Sequence, residues 1–390
     1  MRVKRLTRLL WACALIVLGV FALRTFLGDV YRITSDSMLP TLRSGEYVFV
    51  RYDRSTPRRG DLVVHERAGQ AVVKRVAGLG GESVLVARSG DLIIDGERLP
   101  RSPREGLIAL FDDRIQGLEE HFSIGTESVQ PWTHNGELGG WELDARDIER
   151  GRATGLLRLH QRIRDGYLGQ DGERMYGRNH VGDAAVEFSF RNLFEPGSAP
   201  DAGRLRVKLV EEADVFEVAF ELDMEGHGAA VTLTRRAGSV SELLDERHVD
   251  LEPQGWTRVR FENIDNVLHL SIADTTLWSI PYERNTRHPK DTAGLGLSTG
   301  ERVCVGGERC HLVLRDLRVW RDRHYTQRGS FGLGKPLTLA PDESFVLGDN
   351  SEVSRDSREW GAVRRESLWG RATWVVWPLR SIRPLRRPLK

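Results

Sequence analysis

Along most of the chain, apolar and polar residues alternate with a period of two, the pattern of half-buried β-strands. Short runs of this kind cover 47–50, 61–64, 72–76, 83–87 and 92–94. Gly45, Gly60-Asp61, Gly78, Gly80-Gly81 and Asp95-Gly96 punctuate them, which predicts antiparallel strands joined by hairpins. The same texture returns from Pro341 to Trp377. Between these stretches the alternation runs longer. Phe216, Val218, Phe220 and Leu222 share one face, as do Thr257, Val259 and Phe261, and again Leu268, Leu270 and Ile272. The stretch 312–320 reads as a closing strand. Long amphipathic strands with polar turns predict a β-sandwich of jelly-roll or lectin-like type.

One stretch breaks the period. Arg2, Lys4, Arg5 and Arg8 precede an uncharged apolar run over 9–23 that continues past Arg24 to Leu27. A membrane-crossing helix needs about 20 such residues, so the run spans if Arg24 snorkels to the far interface. The basic flank keeps the N-terminus cytoplasmic and exports the chain beyond Leu27. No small-x-small cleavage site follows Leu23, so an uncleaved anchor is expected rather than a removed signal peptide. The predicted fold is therefore mainly β, in five parts. Residues 1–8 are a cytoplasmic N-terminus, 9–27 a single-pass anchor, and 28–104 the first part of a catalytic domain. Residues 105–325 are the inserted sandwich, and 326–390 are the second catalytic part with a basic Arg- and Pro-rich tail.

Composition narrows the function classes. The 390 residues carry a formal charge of +1, so no overall field draws the chain to nucleic acid. Cys304 and Cys310 flank a glycine-containing turn and could close a disulfide in an exported compartment. Metal binding is the weaker alternative, since two thiols without a His pair or a second Cys pair do not make a site.

The candidate chemistry lies in two blocks, Ser35-Asp36-Ser37-Met38-Leu39-Pro40-Thr41 and Val72-Val73-Lys74-Arg75-Val76. Alternate strand residues share a face, so Lys74 sits between Val72 and Val76. Burial there disfavours the ammonium and lowers its pKa. A neutral amine can take the proton of a serine hydroxyl, so Ser37 and Lys74 suit a nucleophile–base dyad. His65 lies near, but no motif ties it to Ser37 and an Asp as a triad requires.

A third block runs through Gly348-Asp349-Asn350, Ser354, Asp356-Ser357-Arg358 and Trp360-Gly361. With Arg59-Gly60-Asp61-Leu62-Val63-Val64 and the two blocks above, in this order after an N-terminal anchor, the chain resembles bacterial type I signal peptidases. These are membrane-bound Ser–Lys proteases, and the resemblance covers about residues 9–100 and 326–377, under half of the chain. It implies Ser37 as nucleophile and Lys74 as general base. It further implies an oxyanion hole from the Ser37 N–H and the Ser35 hydroxyl, and Ser354 orienting the Lys74 amine. Asp349, Asn350, Asp356 and Arg358 would support the site. Neither metal nor cofactor is implied. The implied partners are signal peptides of exported pre-proteins and the lipid bilayer, at the outer side of the cytoplasmic membrane. Asp36 departs from the family, where glycine is common, and its charge would oppose activation if it lay close to Lys74. The resemblance is silent on the insert, for which a carbohydrate or protein ligand is conceivable. The competing reading is an inactive membrane-tethered binding protein whose sandwich is the working part.

Overall fold

A computed structural model describes residues 11, 27–53, 55–99, 107–124, 132–145, 155–159, 163–169, 172–193, 203–211, 214–223, 227–283 and 302–385. The expected anchor lies almost wholly outside them. Among the described residues no helix is long and apolar enough to cross a membrane. The chain divides into two compact units, one of residues 1–106 with 323–390 and the other of Leu107–Asp322.

The first unit is built on an antiparallel sheet. Its strands run in the order Gly28–Arg32, Tyr47–Arg51, Leu368–Trp377, Leu62–Arg67, Gln70–Gly78, Glu343–Leu347 and Val363–Arg364. The late segment of the sequence thus interleaves with the early one. Alternation decides which face each residue takes. Val48, Val50, Leu62 and Val64 bury into one cluster with Met38 and Leu42, while Val63, Val76 and Val346 form another. A smaller sheet holds Ser83–Val86, Leu92–Ile94 and Glu97–Arg98. Its tight turn is Asp95-Gly96, both at positive φ (52° and 86°), the conformation that an Asp-Gly hairpin favours. The expected basic tail begins as structure instead. Arg383–Pro384 pairs with Leu368–Trp377, and Arg383 donates to both carboxylate oxygens of buried Glu46 at 2.8 and 3.0 Å. A buried carboxylate needs such a partner, and that need ties down this basic segment.

The second unit is a β-sandwich. One sheet orders Thr133–Asn135, Gly140–Asp144, His311–Arg321, Ala184–Asn192, Thr257–Ile264, Val267–Ile272 and Thr275–Pro281, with Ile108–Asp112 also on His311–Arg321. The other orders Val240–Asp250, Gly228–Ala237, Asp214–Leu222, Gly203–Glu211, Val303–Glu308, Leu157–Leu159 and Phe122–Ile124. Their inner faces close one continuous core that includes Phe188, Phe190, Phe220, Phe261 and Leu270. Three faces read from the alternation (216–222, 257–261 and 268–272) contribute to it, as does the closing strand over 312–320.

The disulfide expected between Cys304 and Cys310 is not formed. Val303 and Val305 point into the core together with Cys310, and Cys304 is not among the core residues. Alternation turns Cys304 to the opposite face of its strand, and thiols on opposite faces of a sheet cannot be joined without moving backbone. The Cys310 sulfur instead covers Gly307.

Candidate active site

Ser37 sits on a turn that two apolar residues anchor. Met38 and Leu42 are fully buried, and Leu42 N–H donates to Met38 O at 2.9 Å. Their burial leaves the intervening backbone no freedom to carry the serine elsewhere. Lys74 comes from Gln70–Gly78, opposite Val63 of Leu62–Arg67. The pairing brings its face against Val63, Val76 and Val346, so the amine enters an apolar cluster.

Lys74 Nζ lies 2.6 Å from Ser37 Oγ, with Lys74 only 2 % and Ser37 7 % exposed. Burial lowers the Lys74 pKa from the ordinary 10.5 to about 8. The carboxylates of Asp356 and Asp349 oppose this shift, and Arg358 reinforces it. Asp36 is exposed, where water screens its charge. At pH 7 about one lysine in ten is then neutral, against fewer than one in a thousand at the ordinary value. Ser35 Oγ stands 3.3 Å from Ser37 Oγ.

Three loops converge on this pair through buried charge. Asn350 N–H donates to Ser37 O at 3.0 Å, and its side chain donates to Asp36 O at 3.1 Å. Asp349 accepts from Arg75 Nε at 2.7 Å and from the Thr41 hydroxyl. Arg75 also donates to Gly60 O at 2.8 Å. Strand, nucleophile turn and Gly-Asp-Asn loop are thus clamped by one ion pair. Asp349 is held well below the usual carboxylate range by Arg323 and Arg75, which outweigh its burial. Asp356 accepts from Gly348 N–H at 2.9 Å and from both ends of the Arg358 guanidinium at 2.9 and 2.8 Å. Arg358 spends its remaining donors on Thr326 O at 2.9 Å and Ser351 Oγ at 2.6 Å.

The expected bond from Ser354 to the Lys74 amine is not formed. Ser354 N–H donates to Asn350 O at 3.0 Å, while its buried hydroxyl has no hydrogen-bond partner. The hydroxyl packs on Gly348, where a Cβ would meet Ser354 Oγ at 2.1 Å and Ser37 O at 2.6 Å. Glycine is required there for the loop to approach the nucleophile. Arg75, Thr41, Thr326 and Ser351 carry much of this scaffold and had no role in the reading of the sequence. The signal that pointed to Arg75 is its place beside Lys74 in an apolar strand, since a second buried cation demands a buried anion.

The chain was compared with known proteins. A family model described as signal peptidase, peptidase S26, matches residues 6–138 and 297–377. A signal peptidase I of Leptolyngbya laminosa is 31% identical over 161 residues, covering 32% of this chain and 79% of that protein. Signal peptidase I S of Bacillus subtilis is 34% identical over 125 residues, covering 28% of this chain and 67% of that protein. Among solved structures, carbohydrate-binding module CBM66 from Bacillus subtilis covers 57% of this chain and 99% of its own length. Its identity is 7% and its TM-score 0.29, a likeness that carries no argument about the insert.

Proposed function

The chain belongs to the signal peptidase family, peptidase S26, and on that footing we propose that it is a membrane-anchored serine endopeptidase acting by a Ser–Lys dyad. Its substrates are the signal peptides of exported pre-proteins, cut after small residues, typically alanine, at the first and third positions before the scissile bond. The observation that carries the reading is the 2.6 Å approach of a buried lysine amine to a serine hydroxyl.

The neutral Lys74 amine takes the Ser37 proton as Oγ attacks the scissile carbonyl. The oxyanion that forms meets the Ser37 N–H and the Ser35 hydroxyl, donors that matter because charge develops only there. Two observations support this role. The Ser37 N–H makes no backbone hydrogen bond among the described residues, and the Ser35 hydroxyl lies beside the nucleophile. Collapse of the intermediate breaks the peptide bond, and Lys74 gives its proton to the departing amine. The ester on Ser37 is then cleaved by a water whose proton goes to the same amine, which releases the carboxylate and restores the hydroxyl.

Placement at a membrane surface is supported by one face of the sheet. Val30 and Trp374 both stand opposite Phe49, and Trp377 opposite Tyr47, so these side chains share a face. Val30, Trp374 and Trp377 are exposed there, as are Leu379 and Ile382 at the strand's end. Tryptophans on an apolar surface suit the headgroup region. Trp369 packs into the core instead. The anchor over 9–27 would put the N-terminus in the cytoplasm and this unit outside.

The test is cleavage of a peptide with an alanine-x-alanine site. Ser37→Ala and Lys74→Ala should each lower kcat/KM by at least about a thousandfold. In the wild type, kcat/KM should rise about tenfold per pH unit and level off above pH 8, as the amine loses its proton. Unchanged cleavage by either variant would refute the dyad, and absence of cleavage by the wild type would favour a tethered binding protein.

A further inference from the structure

The sandwich unit carries a cleft of about 240 Å³ that plays no part in the peptidase chemistry. It is built on residues 163–169 and 172–181, where Tyr167–Leu168 pairs with Arg174–Met175 and Arg164 bridges His180. Leu110, Gly166 and Gly177 form its walls, and Arg164, Arg174 and Tyr176 bring polar groups to it. The two glycines let the backbones close, since a Cβ on Gly166 would meet Met175 O at 2.2 Å.

Arg174 is the unusual group. Its Nη1 donates to His121 Nδ1 at 3.0 Å, and its guanidinium carbon lies 5.6 Å from the Tyr176 ring centroid. No carboxylate pairs with it among the described residues. Two other half-buried guanidiniums of this unit are neutralised, Arg235 by Asp214 and Arg206 by Glu217 and Glu308. Asp165, beside the lining glycines, is turned to the N–H groups of Arg178 and Asn179 and to the Asn179 amide. Burial lowers the Arg174 pKa with only Tyr176 opposing it, yet a guanidinium stays charged at neutral pH. A partly desolvated cation that opens on a cleft with no counter-charge among the described residues is short of an anion. The cleft is smaller than the roughly 300 Å³ at which drug-sized sites begin, so it suits one small ring. Tyr176, 73% exposed, offers a flat face to such a ring.

We propose that this cleft binds a small sugar acid, its carboxylate on the Arg174 guanidinium and its ring against Tyr176. Arg164 adds a second, exposed cation at the rim.

Calorimetric titration of the 390-residue chain with sodium D-glucuronate and with D-glucose tests the site. Glucuronate should bind at least about tenfold more tightly than glucose, because only it offers the guanidinium a carboxylate. Arg174→Met should weaken glucuronate by at least about tenfold, and Tyr176→Ala, an exposed position, by about threefold. If Arg174→Met fails to fold, Tyr176→Ala alone decides. The proposal is overturned if glucuronate gives no heat, if glucose binds as tightly, or if a folded variant binds glucuronate like the wild type. None of these readouts depends on the peptidase dyad.

Discussion

The peptidase unit keeps Lys74, Arg75, Arg358, Asp349 and Asp356 almost wholly out of water around one amine, whereas the sandwich closes a single large apolar core between its two sheets. The sandwich buries charge as well, with Arg260 between Glu187 and Glu262 and with Asp214 against Arg235, and it carries further cross-strand pairs that water can reach. Lys208 and Arg206 flank Glu217, and Arg204 meets Glu221. The peptidase unit divides its apolar residues among three smaller clusters, and buried ion pairs join them. Burying a charge is expensive unless a partner meets it. The unit tolerates that cost where it fixes three loops around one amine. The sandwich therefore rests chiefly on one large apolar core and the peptidase site on charges set between its loops, and the two should fail under different substitutions.

The largest effect should come from the sandwich. Phe220 is fully buried and packs edge-on against Phe190, with ring centroids 5.9 Å apart. Phe220→Ala should destabilise this unit by about 4 kcal/mol, the usual cost of an aromatic cavity in a tight core. Denaturant unfolding checks it, and a loss below about 1 kcal/mol would mean that the site collapses and the core is not the continuous body described.

Arg75→Met tests the other region. It leaves the Asp349 carboxylate buried with Arg323 nearby (3.5 Å) and without its main hydrogen-bond donor. The expected loss is about 3 kcal/mol, mostly from the stranded charge rather than from the pair itself. Combining it with Asp349→Leu should recover most of that loss, because two apolar groups replace an ion pair at little net cost. The double variant should still cleave poorly, since the clamp on Thr41 is gone. If it cleaves like the wild type, the buried pair serves stability alone and the contrast between the units disappears.

The contrast also sets what could be read from the chain itself. Apolar alternation is local, so strands such as Tyr47–Arg51, Asp214–Leu222 and Val267–Ile272 were legible, as was the Asp95-Gly96 turn, while Ala184–Asn192 and Gly203–Glu211 were not singled out. The Lys74 environment was legible for the same reason, since Val72 and Val76 lie two residues away. Charge partners are not local. Arg75 and Asp349 are 274 positions apart, and nothing near either residue names the other. Nearness in sequence also misled: Cys304 and Cys310 are close along the chain but face opposite sides of a strand. Whether the Ser354 hydroxyl meets the amine depends on a side-chain rotation that no spacing encodes.

The remaining expected effect, which appears only on acidification, concerns His65, two residues along the strand from Val63 and so on the Lys74 side of the sheet. It is 1% exposed. Its Nε2 has no hydrogen-bond partner, and its ring lies 5.5 Å from that of Trp360. Burial, reinforced by Lys74 and Arg67, lowers its pKa from 6.5 to about 4, against the Glu66 carbonyl that favours the proton. Between these values the unfolded chain binds the proton and the folded one does not, so stability rises with pH across the window and falls on acidification below 6.5. The loss on going from pH 7 to pH 4 is on the order of 3 kcal/mol from this group alone. Phenylalanine fills similar space without a proton to bind, so the wild-type and His65→Phe stabilities, measured in urea across that range, should diverge as pH falls. Parallel curves would mean that water reaches the ring, and the Lys74 side of the sheet would then be wetter than a lowered lysine pKa requires.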